Sequence, residues 1–326
     1  MTAAAKSAAA LALAAALLSL VGFNASFLSP APDGAVKILA HRGVHQTFRT
    51  DGVTNETCTA TRIHPPTHEF LENTLDSVAA AFAYGADMVE IDIRPTKDGD
   101  FAVFHDHTLD CRTNATGRTS DRTMAELKAL DIGYGYTADG GASFPFRGAG
   151  VGLTPSLDEM LRRFPGRAFM INAKSNAGAD AEALQAYFTD RGLAPSAQSL
   201  IWAGPRFVER WRAIGGETPA TTRREVKTCA KQYVLYGWSG YVPPICAGFG
   251  LVAPADYTWL YWGWPRKTLA RFDRAGMRVF LAGPLGGPTQ GVDDPALIAR
   301  IPRDYAGWIT TDKIEVIGPA IRERSP

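Results

Sequence analysis

Histidine is scarce in this chain: there are six in 326 residues, and every one lies between His41 and His107. Cysteine is nearly as rare. The four cysteines form no C-x-x-C pair, which excludes the usual zinc-ribbon and redox-dithiol patterns. Neither sign of charge is in excess. With 34 basic and 33 acidic side chains the net charge is +1, so the chain lacks the basic stripe that general nucleic-acid binding needs. Its most basic doublet with a lysine close by, Arg223-Arg224, reads as a solvated face. No repeat or low-complexity segment stands out beyond the N-terminus, and nothing marks a second domain. An apolar fraction of 46% suits a globular protein with a sizeable core, and the length suits a single α/β barrel.

Long hydrophobic runs are also missing, with one exception. Lys6 is the only charge before an apolar run from about Ala8 to Phe23, and Pro30 and Pro32 follow it. That is the layout of a secretory signal. The run falls short of the roughly 20 residues a stable membrane span needs, yet no A-x-A site follows it. Residues 1–30 are therefore expected to be either a signal peptide or an N-terminal membrane anchor, with the rest exported to the periplasm or the exterior. A buried core helix is disfavoured, because an Ala/Leu-rich run has no polar face to turn outward. An even number of cysteines fits export. Of the three pairings that four cysteines allow, Cys58–Cys111 and Cys229–Cys246 are favoured because each would staple a long loop; four buried free thiols are the alternative. Asn24-Ala25-Ser26 and Asn114-Ala115-Thr116 match a glycosylation pattern too frequent by chance to carry weight.

From residue 36 onward short apolar strands alternate with amphipathic helices. Strands are expected at Val36–Ala40, Met88–Ile93, Phe101–Phe104, Ala168–Ala173, Leu200–Ala203, Arg278–Ala282 and Trp308–Thr311. Helices are expected at Asn73–Tyr84, Arg122–Leu130, Ser156–Phe164, Ala179–Arg191, Phe207–Ile214 and Pro265–Ala275, with a short one at the end. Residues 44–71 read as a long polar loop of the kind that usually serves function, and 217–262 as strand-like but ambiguous. The alternation argues for a parallel α/β sheet, an eight-stranded TIM-type barrel over residues 36–326. The competitor is an open doubly wound sheet. Two glycine patterns, Gly133-Tyr134-Gly135-Tyr136-Thr137-Ala138 and Gly148-Ala149-Gly150-Val151-Gly152, tempt that reading, but neither follows a strand and opens a helix.

The polar residues of interest fall where strands end, which is where barrel chemistry gathers. His41 ends the first strand, Glu90 and Asp92 lie near the end of the second, and His105 closes the next extended piece. Residues two apart on a strand face the same way, so Glu90 and Asp92 point together. Two like charges in a barrel mouth are costly unless a cation joins them, which makes a metal the simplest explanation; pairing with Arg94 or Lys97 is the alternative, disfavoured by the flanking His41-Arg42 and His105-Asp106. Each histidine alone would more often be a hydrogen-bonded structural residue, but as a pair near neutral pH they can trade a proton. His45, His64, His68 and His107 read as loop residues, and Asp106 as a group supporting His105.

The motifs His41-Arg42-Gly43, Glu72-Asn73-Thr74, Glu90-Ile91-Asp92 and His105-Asp106 together resemble those of the glycerophosphodiester phosphodiesterases. Asp98-Gly99-Asp100-Phe101-Ala102-Val103-Phe104, Thr108-Leu109, Thr113-Asn114-Ala115-Thr116-Gly117, Thr154-Pro155-Ser156-Leu157 with Glu159, and Ile309-Thr310-Thr311-Asp312 add to the likeness. It is good over residues 36 to about 175 and loose beyond. The resemblance implies a TIM barrel with a small insertion after the second strand, about residues 106–150. It also implies metal-dependent hydrolysis of glycerophosphodiesters to glycerol 3-phosphate and an alcohol, with Ca²⁺ or Mg²⁺ as cofactor. Carried over by position, His41 and His105 are the acid–base pair, Glu90 and Asp92 are metal ligands, and Arg42, Glu72 and Lys174 serve the phosphate and the site around it. The chain departs from the family at Asn172-Ala173-Lys174, where a metal-binding glutamate is usual. Asn172 offers an amide oxygen without charge, which should weaken cation binding. Phe280-Leu281-Ala282 also lacks the family's tryptophan–threonine pair. Two alternatives stand beside this reading. One is a phosphodiesterase or phospholipase for another lipid headgroup, permitted by Trp259, Trp262 and Trp264; the other is a barrel with weakened metal binding that only holds a ligand.

Overall fold

The computed structural model describes residues 3–54, 57–286 and 291–324. Its strands are β1 (Lys37–His41), β2 (Met88–Pro95), β3 (Phe101–Val103), β4 (Ala168–Ala173), β5 (Leu200–Trp202), β6 (Ala220–Thr221), β7 (Leu251–Pro254), β8 (Val279–Ala282) and β9 (Trp308–Thr311). The helices are α1 (Ala3–Asn24), α2 (Leu75–Ala83), α3 (Met124–Lys128), α4 (Leu157–Arg163), α5 (Gly178–Arg191), α6 (Pro205–Ala213), α7 (Arg223–Tyr236), α8 (Arg266–Arg274), α9 (Pro295–Ile298) and α10 (Ile314–Arg324).

Eight strands run parallel in the order β6-β5-β4-β2-β1-β9-β8-β7 and curl into a barrel-like sheet; β3 hangs antiparallel on β2. This is the TIM-type architecture expected from the strand–helix alternation. Among the described residues β6 and β7 share no ladder. Leu39, Met88, Leu200, Phe249, Phe280 and Trp308 form one buried cluster drawn from β1, β2, β5, β8, β9 and the approach to β7, with Phe249 and Phe280 stacked 4.3 Å apart. A larger apolar layer fills the space between strands and helices. Burial on both faces over Met88–Ile93 explains why that part of β2 reads as an unbroken apolar run apart from Glu90 and Asp92.

The insertion after β2 has its own small core. Phe104, Leu109, Met124, Leu127, Ile132, Tyr136 and Phe146 pack there with Ala60, Ile63 and Leu71 from the long loop behind β1, and Cys58–Cys111 ties the two segments together. Asp131 gathers three backbone N–H groups, from Gly133 at 2.9 Å, Gly148 at 2.6 Å and Gly150 at 3.0 Å. The two glycine patterns serve this packing: a Cβ on Gly133 would lie 2.3 Å from Phe146 O, and one on Gly135 1.9 Å from Cys111 O.

One region differs from expectation. Residues 217–262 hold two short strands, but their largest element is the 14-residue helix α7. Thr222 and Glu225 close its first turn as a capping box. Cys229 therefore sits on a helix rather than in a loop, and its disulfide to Cys246 clamps α7 to the short turn before β7. The N-terminal apolar run is also longer than its uncharged core suggested: Ala5–Asn24 is a 20-residue helical stretch, long and apolar enough to cross a membrane.

Candidate active site

Strand register assembles the site. His41 at the end of β1 lies opposite Glu90 on β2, and Asp92 lies opposite Asn172 on β4. After His41 the chain turns sharply. Arg42 adopts φ +57° and Gly43 φ +80°, and a Cβ on Gly43 would fall 2.2 Å from Ser77 Oγ, so only glycine lets this turn rest against the start of α2. Asn73, at φ +62°, is the second non-glycine residue in the left-handed region. Such conformations cost on the order of 1–3 kcal/mol and persist where surrounding bonds hold them. Here they are held: Arg42 O accepts from Asn73 N at 3.0 Å and from Ser77 Oγ at 3.1 Å.

The buried charges form one network. Arg42 Nη1 meets Glu72 Oε1 at 3.0 Å, its Nε lies 3.3 Å from Asp92 Oδ2, and its backbone N–H reaches Glu90 Oε2 at 3.2 Å. Lys174 Nζ lies 2.9 Å from Asp92 Oδ1. Asn73 clamps Asp92 from the other side, donating to Oδ2 and accepting from its N–H, both at 3.0 Å. Asn172 Nδ2 donates to Glu90 Oε1 at 2.8 Å and to Asp92 Oδ1 at 3.1 Å. One oxygen of each carboxylate thus converges on a single point. Burial and the charge of Asp92 raise the pKa of Glu90; burial acts the same way on Asp92, but Lys174 and Arg42 outweigh it and hold that carboxyl well below its usual range. Arg94 donates to the carbonyls of His105 and Lys174, and no contact of its guanidinium with Glu90 or Asp92 stands in place of theirs.

Both histidines are oriented in the same way. His41 Nδ1 is 2.6 Å from Asp312 Oδ1, and His105 Nδ1 is 2.6 Å from Asp106 Oδ1. A carboxylate only accepts, so each Nδ1 carries the proton and each Nε2 is left for other work. Asp106 is held in turn by Arg112 Nη1 at 2.7 Å, and Arg112 Nη2 reaches Glu72 Oε2 at 3.2 Å. One chain of ion pairs therefore runs from His105 through Asp106, Arg112 and Glu72 to Arg42. Burial lowers the His105 pKa, with Arg42 adding to it. Burial also pulls on His41, but Glu90 and Asp312 outweigh it and the net shift is upward.

Three participants were not singled out by residue pattern. Asp312 follows β9, the strand beside β1, where a polar residue ending a strand should have drawn attention. Arg112 carries no signal beyond its place next to Cys111. His45, read as a loop residue, is buried with its ring 5.8 Å from that of His41. His41, His45 and Asp312 bring one ligand atom each within 4.8 Å of one another, a spacing that could hold a metal ion. A cleft of about 660 Å³ opens beside them, lined in part by His45, Arg49, His64, Asp312 and Lys313. Of the three tryptophans, Trp262 bonds Val234 O and Trp264 stacks on Tyr305, while Trp259 is 75% exposed.

Residues 41–190 match the model of the glycerophosphoryl diester phosphodiesterase family. Over that stretch, just under half of its length, the chain is similar to that family. A glycerophosphodiester phosphodiesterase of Caldanaerobacter subterraneus is 36% identical over 107 residues, covering 33% of this chain and 40% of that protein. One from Bacillus subtilis is 38% identical over 108 residues, 32% of this chain and 36% of its own length. The matches thus span less than half of these curated relatives. The fold agreement is wider. The crystal structure of a glycerophosphodiester phosphodiesterase from Agrobacterium tumefaciens superposes with a TM-score of 0.56 at 22% identity, over 87% of this chain and 99% of that one. An Oleispira antarctica phosphodiesterase, solved with the product sn-glycerol-3-phosphate, gives 0.55 at 20% identity over 91% and 99%. The matched stretch holds the phosphodiesterase motifs on β1, β2, β4 and the insertion; Asp312 lies outside it.

The donor set at the strand ends accords with a hard divalent cation in part. Glu90 and Asp92 are buried carboxylates with converging oxygens, the kind of site such ions take. Asn172 suits one only with its amide turned, since its N–H₂ faces the carboxylates.

Proposed function

We propose that this protein is a phosphoric diester hydrolase that cleaves glycerophosphodiesters to glycerol 3-phosphate and an alcohol. The observation that carries the reading is the pair of histidines, each with Nδ1 fixed by an aspartate, flanking a buried cluster of Arg42, Lys174, Glu90 and Asp92. In this reading Arg42 and Lys174 draw the phosphodiester anion into the mouth and neutralise its non-bridging oxygens. Glu72, locked by Arg42 and Arg112, fixes the guanidinium plane. His41 and His105 present Nε2 to the reacting centre, one removing the proton of the nucleophile and the other delivering a proton to the departing alkoxide. Glu90 and Asp92, with Asn172 after its amide turns, would hold Ca²⁺ or Mg²⁺, which supplies Lewis-acid stabilisation of phosphate charge when bound. The cleft beside His45 and Asp312 gives one of the two ester substituents room. In this reading residues 36–326 form the catalytic unit, with about 106–150 inserted, and the cysteine pairs support an oxidising compartment outside the cytosol as its place of work.

The direct test is glycerol 3-phosphate release from glycerophosphocholine by chelator-stripped protein, with and without added Ca²⁺ or Mg²⁺. Metal-restored release that falls by orders of magnitude in Glu90→Gln is the expected result. Folded protein that releases none with any metal would sink the proposal.

A further inference from the structure

The N-terminal helix is built into the barrel rather than strung from it. From Ala5 to Ser19 it is exposed, and apolar but for Lys6 and two serines, while its last turn and the residues after it are gripped by α8 and by the segment following α7. Lys267 Nζ donates to the carbonyls of Gly22 at 3.0 Å and Phe23 at 2.6 Å, satisfying groups that a helix C-terminus leaves unpaired and meeting the negative end of its dipole. Asn24 Nδ2 donates to Trp238 O at 2.9 Å, and Asn24 Oδ1 accepts from Arg271 Nη2 at 3.0 Å. The Arg271 guanidinium lies 5.1 Å over the Phe23 ring. Farther along, Arg266 binds Ser26 Oγ through its backbone N–H and Ser29 O through Nη1, each at 3.1 Å.

Arg271 is only 6% exposed. Its Nη1 donates to Gly237 O and Trp262 O, whereas its Nη2 donates to Asn24 Oδ1. Removing residues up to Asn24 would take from this buried cation the acceptor of its Nη2, a loss of about 1–3 kcal/mol if nothing replaces it, and from Lys267 both of its carbonyls. A leader destined for removal has no physical reason to complete the packing of the mature domain. No A-x-A site follows the helix. Around its exit lies a ring of exposed apolar side chains: Phe27 at 78%, Leu28 at 61%, Trp238 at 48% and Tyr241 at 49%. Tryptophan and tyrosine beside the end of a membrane-long helix mark the level of lipid headgroups.

We infer that α1 is retained as a transmembrane anchor and that the face carrying Phe27, Leu28, Trp238 and Tyr241 rests on the lipid bilayer. Charge sets the direction: Lys6 stays on the cytosolic side, and the two disulfides put the barrel on the other. The gripping segments (the residues after α7, and Asp304, which binds Arg266 at 2.5 Å) lead into β7 and β9. The anchor therefore meets the N-terminal end of the barrel, opposite the mouth. This inference does not depend on the phosphodiesterase reading.

The test uses the full chain expressed with its own N-terminus in a bacterial host. Membranes are washed with alkaline carbonate, and the protein is then released with detergent and its intact mass measured. The expected result is retention in the membrane and a mass that includes the residues up to Asn24. A mature N-terminus beyond Asn24, or release of the uncut chain by carbonate, would overturn the anchor. The seating of the face is read separately, from tryptophan quenching by brominated lipid in phosphatidylethanolamine–phosphatidylglycerol vesicles. Trp238→Phe should remove one tryptophan's share of the quenchable signal. Unchanged quenching would overturn contact of that face with lipid.

Discussion

His105 and His41 are shifted in opposite senses by their neighbours, as the proposed acid–base pair requires. Burial and Arg42 lower His105 from the ordinary 6.5, so it takes up its proton at lower pH than a free imidazole does. Glu90 and Asp312 raise His41 from 6.5 against its burial, so it holds its proton to higher pH than a free imidazole does. The expected pH–rate profile is a bell whose acid limb lies below 6.5 and belongs to His105. Profiles of kcat/KM for the wild type and for His105→Ala check this: the variant should lose orders of magnitude in rate, and its residual activity should lack the acid limb. A residual profile that keeps that limb would assign it elsewhere. Asn172 invites the complementary experiment. Asn172→Glu restores a third carboxylate beside Glu90 and Asp92 and should lower the half-activating Ca²⁺ or Mg²⁺ concentration by about tenfold, worth about 1.4 kcal/mol. Titration of stripped protein reads this directly, and unchanged metal dependence would count against a cation at these strand ends.

Among the elements, what the sequence made legible was whatever repeats or ends cleanly. Trp308–Thr311 and Ala168–Ala173 have the bounds expected of them, because short β-branched and apolar runs between loops have one plausible conformation. The His41, Glu90, Asp92 and Asn172 grouping was readable because strand ends collect polar residues in a barrel. Helix α7 was not recognised, although Thr222-x-x-Glu225 is a capping pattern and Val226, Cys229, Ala230, Tyr233 and Val234 follow at helical spacing. Aromatic and glycine-rich stretches after it obscured that period. The network through Arg112 was invisible for a different reason. It depends on the insertion folding back over the loop behind β1, a long-range contact with no local periodicity. Asp131 keeps that insertion in shape, and Asp131→Ala, which leaves three backbone N–H groups without their carboxylate, should cost about 3 kcal/mol. Limited proteolysis should then cut first within 133–150, ahead of global unfolding. Equal resistance in the variant would show that the glycine turns hold themselves.

At the scale of the whole molecule the missing ladder between β6 and β7 matters most. Ala220–Thr221 is a two-residue strand, and its approach to the far side of the barrel is by packing: a Cβ on Gly248 would lie 2.9 Å from Thr221 Cβ. The crossover spanning this gap is α7, and Cys229–Cys246 fastens it with a separation of 17 residues. Loop closure of that length is worth about 3 kcal/mol. Replacing both cysteines by serine should lower stability by about that amount, and hydrogen exchange should rise first in β6 and β7 and not in β1 or β2. Uniform exchange across the strands would show that the gap is no weak point.

Described this way, the barrel is a strip bent round and latched rather than a continuous hoop. Glu90, Asp92, His41 and Asn172 sit on β2, β1 and β4, in the middle of the strip and away from the latch, so loosening the free ends need not disturb them at once. Closing that latch is a covalent act, the joining of Cys229 to Cys246, where the rest of the strip is held by ladders and packing.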